Sequence, residues 1–310
     1  MAEIRNIMAA PLQGHTDAAW RHFHSEIYGG IDTYFTPFLR VERGEVRPRD
    51  IKGITSSLNG NHNLIPQIIF RDAAEFEMLV DAVKEAGYDK VDLNLGCPFT
   101  PQVKHGRGAA LIMAPETLKV IHETMTAKYP DTCFSAKMRL GVDDSGEWKS
   151  VVNEINDMPL THLTIHPRIA AQQYGGELDM AQFGELLKAS AHPVIYNGDI
   201  LTIEGIESIG KGYRTLAGIM IGRGLLARPS LAAEWREGKE WVAAMRIDKM
   251  LQFHNSLFEY YSENLCGDAQ ILAKIKPFWE YLEAEIGHKP AKAIKKATSV
   301  NKYLSAINSI

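Results

Sequence analysis

A chain of 310 residues with 45% hydrophobic and 23% charged residues has the composition of an ordinary globular protein, and its formal charge of −4 excludes nucleic-acid binding through bulk charge alone. Its three scattered cysteines, Cys97, Cys133 and Cys266, exclude a disulfide framework and offer no metal-ligand spacing, so no metal is expected. No apolar run approaches the roughly 18 residues that span a membrane, and "MAEIRNIMAAP" lacks the apolar region of a secretory leader; the expected setting is the reducing cytoplasm.

In chain order, short apolar runs predict strands over Ile7–Ala10, Thr33–Phe38, Gln67–Phe70, Val91–Leu95, Phe134–Arg139, Leu163–His166, Val194–Tyr196 and Gly218–Ile221. Amphipathic stretches over Ala73–Ala86, Pro115–Lys128, Glu147–Asp157, Met180–Ala189 and Thr202–Ile209 alternate with them. Eight such units make an α/β fold, a (β/α)8 TIM barrel, with an open doubly wound sheet as its rival. The polar segment 40–63 reads as an irregular excursion over one rim. After about Pro229 strand signals vanish, and apolar residues recur at three- and four-residue intervals from Ile247 to Ile307. A small C-terminal helical bundle follows the barrel, dividing the chain into 1–236 and 237–310.

Barrel chemistry belongs at the C-terminal ends of the strands, where polar residues interrupt the apolar runs. The first strand runs into Pro11, Leu12 and Gln13, the third opens with Gln67, and the fourth ends with Asn94 and Cys97. The fifth carries Lys137 and Arg139, the sixth His166 and Arg168, the seventh Asn197, Gly198 and Asp199, and the eighth Gly222 and Arg223. A lysine inside a central strand needs an anionic partner, either a carboxylate such as Asp92 or a bound group. Glycines beside Arg223, after strands seven and eight, suit a phosphate. No P-loop and no GxGxxG occurs, so flavin mononucleotide (FMN) fits, with a phosphosugar as the competing ligand. Cys97 lies between Gly96 and Pro98, flanks that mark a loop, whereas Cys133 and Cys266 read as inert core residues within regular structure.

The motifs "APLQGHTD" ending at Asp17, "PQI" around Gln67, "DLNLGCP" at 92–98, "GRGAAL" at 106–111 and "AKMRLG" at 136–141 are followed in order by "HPRIAAQQYGG" at 166–176, "PVIYNGDI" at 193–200 and "IMIGRGLLARP" at 219–229. In these motifs the chain resembles the bacterial tRNA-dihydrouridine synthases, and its C-terminal region matches in kind only. The resemblance implies an oxidoreductase that reduces the 5,6 double bond of a tRNA uridine, with FMN as cofactor and NADPH or NADH as electron donor. It implies flavin contacts from Pro11, Leu12, Gln13, Gln67, Lys137, His166, Asn197, Gly198, Asp199, Gly222 and Arg223. It further implies Cys97 as the catalytic acid, with Asn94, Arg139 and Arg168 beside the substrate base. The chain departs from the family pattern at Pro167 and Ile169, and at His15, where an apolar residue is commoner.

The expected partner is tRNA, with no membrane and no obligate protein partner. Residues 237–310 hold ten Lys/Arg and nine Asp/Glu, yet 288–302 holds Lys289, Lys292, Lys295, Lys296 and Lys302 with no acid. That run is either a solvated helix face or a phosphate-contact surface. The alternative function is an FMN barrel acting on a free pyrimidine or small enone; an RNA-binding platform without chemistry is a third.

Overall fold

The computed structural model describes residues 4–310. Its staves are β1 (Asn6–Ala9), β2 (Thr33–Phe35), β3 in two pieces (Leu64–Ile65 and Gln67–Ile68), β4 (Lys90–Leu95), β5 (Cys133–Gly141), β6 (Leu160–Ile169), β7 (Val194–Tyr196) and β8 (Gly218–Ile221). Every neighbouring pair of staves is parallel, β8 pairs with β1, and β3 pairs with β2 through its first piece and with β4 through its second. The break in β3 is Pro66, which has no N–H for the ladder, although its carbonyl still accepts from Asp92. The sheet therefore closes into an eight-stave barrel, and the doubly wound alternative falls.

The predicted strands all form, but their pattern is not continuously apolar. On β4 to β6 polar residues recur at every second position: Asp92 and Asn94, Ser135, Lys137 and Arg139, then His162, Thr164 and His166. All but the half-buried Lys137 are buried. A period of two puts them on one face, and the register aligns Gln67 with Asp92, Asn94 with Lys137, and Arg139 with His166. The other half of the barrel interior is apolar, a cluster of Met8, Ala10, Phe35, Ile65, Ile195 and Met220 separate from the larger core between staves and helices. One interior thus offers an apolar wall facing a polar one.

Two sequence expectations change. The excursion after β2 is ordered: Val41–Glu42 pairs antiparallel with Glu45–Val46, and a helix spans Pro48–Ile54. Its turn places Arg43 and Gly44 both at positive φ, 55° and 84°, the backbone of a tight hairpin without the usual Asn-Gly signature. Cys133 and Cys266 are exposed rather than buried, at the first position of β5 and at a helix N-cap.

From Leu231 the chain is helical, and the helix Leu231–Glu237 ends at Gly238 in the left-handed region. The C-terminal helices are fixed to the barrel through α1 (Ala18–Ile27). Trp20 of α1 and Tyr28 at its C-cap meet Phe253 edge-on at 5.7 and 5.8 Å. Asp17, which caps α1, accepts from the Tyr261 hydroxyl at 2.9 Å and pairs with Lys274 at 2.6 Å. His15 points at the same seam, 3.6 Å from Glu280 and edge-on to Tyr281. The loop after β1 therefore joins the barrel mouth to the helical region.

Candidate active site

The barrel mouth opens into a cavity of about 460 Å³. It is lined by Pro11, Leu12, Gln13, Gln67, Asn94, Cys97, Lys137, Arg139, His166, Asn197, Gly198, Asp199, Gly222 and Arg223. These are the residues expected from the sequence, with one exception. Arg168 is buried behind the wall, where Nε and Nη2 donate to the carbonyls of Gly175 and Gly176 at 3.0 and 2.8 Å and Nη2 also holds Asp199. It braces the loop after β6.

The Cys97 loop is shaped by a hydrogen-bonded chain that starts below the cavity. Ser135 Oγ donates to Asp92 at 2.6 Å, Gln67 Nε2 to Asp92 at 2.7 Å, and Asn94 Nδ2 to Gln67 Oε1 at 2.7 Å. Asn94 Oδ1 then accepts from the backbone N–H groups of Gly96 and Cys97, at 3.1 and 2.8 Å. This folds the chain sharply after β4 and places the thiol at the mouth. The Asn94 carbonyl is fully used in the turn, so only its amide can reach a ligand. From the other side Gly108, at φ +62°, passes so close that a Cβ there would lie 2.8 Å from Cys97 Cβ. Glycine in "GRGAAL" thus makes room for the cysteine.

The electrostatics follow from burial in a basic wall. Burial pushes the Cys97 thiol above its ordinary range, opposed by the Phe99 backbone and by the charges of Arg139 and Lys137. Burial, with Arg139 alongside, pulls Lys137 down to about 8, while Asp92 and Cys97 act upward. Asp92 is pushed up to about 6 by burial, against its bonds to Ser135 and Gln67 and the charge of Lys137. Lys137 makes no ion pair within 4 Å among the described residues, so the Lys137–Asp92 salt bridge considered from sequence is an attraction at longer range.

His166 is held neutral by burial and four surrounding cations, Lys137 first. Arg168 Nη1 lies 3.2 Å from His166 Nε2. A guanidinium only donates, so Nε2 carries the lone pair and the ring proton sits on Nδ1. Asp199 pairs with Arg168 and, at 2.6 Å, with Arg223. Tyr174 lies under both Arg139 and Arg223, whose guanidinium carbons are 5.5 and 5.1 Å from its ring centroid.

The donor chemistry fits an anionic, partly aromatic cofactor such as FMN: an apolar wall of Ala10, Pro11, Leu12, Pro37, Phe38 and Met220, a lysine and a neutral imidazole, and an arginine beside two glycines. Sequence reasoning missed Arg40, Arg47, Arg49, Phe99, Gln102 and Leu201, which also line the cavity. The density of arginines in "RVERGEVRPR" was the available signal for three of them.

Fold and site together define a (β/α)8-barrel enzyme whose mouth carries a protonated thiol and a cationic wall. The model of the dihydrouridine synthase family matches residues 8–302, so the chain belongs to that family, whose cofactors are FMN and a nicotinamide electron donor. A probable tRNA-dihydrouridine synthase of Staphylococcus epidermidis is 30% identical over 268 residues, covering 82% of this chain and 78% of its own. A tRNA-dihydrouridine(16) synthase of Neisseria meningitidis serogroup B is 29% identical over 242 residues, 74% of this chain and 71% of its own. Among solved structures, morphinone reductase superposes with a TM-score of 0.53 at 11% identity, over 76% of this chain and 86% of that one. Histamine dehydrogenase from Rhizobium sp. 4-9 gives 0.54 at 14%, over 76% and 46%. At such identities these two report the barrel fold alone.

Proposed function

We propose that the chain reduces the 5,6 double bond of a uridine in tRNA, with Cys97 as the acid. The observation that carries the reading is a thiol kept protonated by burial, standing at the rim of a cavity whose wall holds Lys137, Arg139 and His166. Held by these residues, reduced FMN would supply the hydride for carbon 6 of the uracil, with NADPH or NADH as its reductant. Arg223 and the backbone at Gly198 and Gly222 are suited to its phosphate, and Lys137 and the Nδ1–H of His166 to the ring's polar edge. Carbon 5, which takes up the displaced electron pair, receives the proton from Cys97 Sγ. The resulting thiolate is stabilised by Arg139 and Lys137 until water reprotonates it. Arg139 and the free amide hydrogen of Asn94, both lining the cavity, suit the carbonyl edge of the base.

In this reading residues 1–236 are catalytic and 237–310 orient the RNA, in the cytoplasm. Lys289, Lys292, Lys295 and Lys296 are exposed on the helix His288–Lys296, and Lys302 on the helix that follows. None is in an ion pair among the described residues, which suits phosphate contact.

The test is direct. Purified holoprotein, NADPH and an unmodified tRNA transcript should yield a nucleoside heavier by two hydrogens, detected by mass spectrometry. Cys97→Ala should slow its formation by about 100-fold or more, the scale of a lost general acid. Full dihydrouridine formation by that variant would sink the role of Cys97.

A further inference from the structure

Beyond the groups that serve a uracil ring, the cavity rim carries an aromatic face and two cations with no assigned task. Phe99 is 59% exposed although it follows Pro98 directly after the thiol. Its ring lines the mouth, and no other ring stacks on it among the described residues. Its backbone is held, because its carbonyl accepts from Gln102 and Val103 at 2.8 and 3.1 Å. The ring is thus presented outward by a turn of helix.

Arg40 and Arg49 line the same mouth from the excursion after β2. The Arg49 side chain is 73% exposed, and its one carboxylate contact among the described residues is Asp50, 3.9 Å away. Arg40 has a 3.5 Å pair with the exposed Glu42. Arg47 between them is different: it is buried and bidentate on Asp50 at 2.8 and 2.7 Å, so it anchors the segment. Arg107 ties the two rims together. Its Nη2 donates to Val41 O at 3.0 Å, its Nη1 to Gln102 Oε1 at 3.4 Å, and its Nε to Glu75 at 2.9 Å. A buried cation therefore holds the arginine rim and the Phe99 turn as one piece.

An exposed aromatic face sharing the mouth with a solvated guanidinium, Arg49, and a half-buried one, Arg40, matches one chemistry, a nucleotide unit with its base on the ring and its phosphate on the cations. We propose that Phe99, Arg40 and Arg49 form a subsite for the nucleotide adjoining the target uridine, with Phe99 stacking on its base and the arginines holding its phosphate. The proposal rests on the reading of the site as a uridine reductase acting within RNA. A free pyrimidine has no neighbour to offer, so this rim separates polymer from monomer.

The test compares Phe99→Ala, Phe99→Leu and Phe99→Trp as holoproteins on an unmodified tRNA transcript. Loss of a base–aromatic stack lowers kcat/KM about tenfold to a hundredfold in F99A. F99L falls with it, because leucine is apolar but has no π face, whereas F99W restores the wild-type value and so separates stacking from a folding defect. F99A or F99L at the wild-type value overturns the subsite. Binding of a fluorescent single-stranded oligouridylate gives a readout without turnover. There F99A weakens affinity, and Arg40→Gln with Arg49→Gln lowers the salt slope by about 1 to 2. A salt slope equal to wild type removes the arginines from the proposal. Weakened oligouridylate binding in F99A, with no dihydrouridine formed by the wild type, overturns the reductase reading and leaves the subsite. Dihydrouridine formed equally by wild type and F99A does the reverse.

Discussion

Burial and the neighbouring Arg139 pull the Lys137 ammonium down to about 8, close enough to neutrality for its charge to be lost in ordinary buffers. A bound anion favours the charged lysine and raises its pKa, so anion binding takes up a proton above pH 8. FMN affinity should therefore weaken about fivefold between pH 8 and pH 9, while any change near pH 6 belongs to Asp92. Titrating the apoprotein with FMN across that range, by quenching of flavin fluorescence, checks the sign. Lys137→Met should bind weakly at every pH with no inflection. Cys97 is shifted upward and His166 downward, so neither gives a transition between pH 6 and 8. Residues such as Lys137 and Cys97 were legible in the sequence because each is an anomaly, a charge inside an apolar strand or a thiol between Gly96 and Pro98. Arg168 shares a strand face with His166 but is not among the residues that line the cavity. Past the barrel rim the loop carbonyls of Gly175 and Gly176 claim its guanidinium. Phe99 was missed since an aromatic residue outside any periodic run carries no signal of exposure.

At the scale of elements, the helix His288–Lys296 buries Ile294 and presents four lysines to solvent. An exposed face of one sign without partners contributes little to stability, so its neutralisation should act on binding and leave the fold intact. Replacing Lys289, Lys292, Lys295 and Lys296 by glutamine should weaken tRNA binding and flatten its dependence on log salt by about 0.7 to 0.9 for each phosphate no longer neutralised. An unchanged slope in a salt titration removes this helix from the RNA interface. Helices were read well where apolar spacing is regular, as over Met180–Ala189, which forms with the expected bounds. The excursion after β2 was not, since its hairpin is made by Arg43 and Gly44 at positive φ and its attachment by the distant Arg107. Neither short-range propensity nor polarity reports an interaction across that distance.

For the whole molecule, four buried histidines set the response to acid. His24 is depressed to about 3, His162 and His254 to about 4, and His166 further, in each case chiefly by burial. His24 lies between the Tyr34 hydroxyl at 2.8 Å and the Pro229 carbonyl at 2.9 Å, and burial outweighs the upward pull of that carbonyl. With folded pKa values below the unfolded value of about 6.5, the unfolded chain binds more protons as pH falls. Stability is therefore full above about pH 6.5 and declines below it, by roughly 1 kcal/mol for each histidine at pH 5.5. Thermal unfolding followed from pH 8 to pH 5 should show the melting temperature falling through this window; a flat or rising profile contradicts it. The sequence by itself determined the eight staves, the helical C-terminal region and the polar strand-end residues of the cavity wall, because local periodicity and polar interruptions are written into neighbouring residues. The tertiary structure alone decided which polar groups face the cavity and which are spent bracing it. Asn94 folding the Cys97 loop around Gln67, Arg168 buried behind the wall and Arg107 joining two rims all depend on partners outside their own strand or loop, which only closure of the barrel brings together.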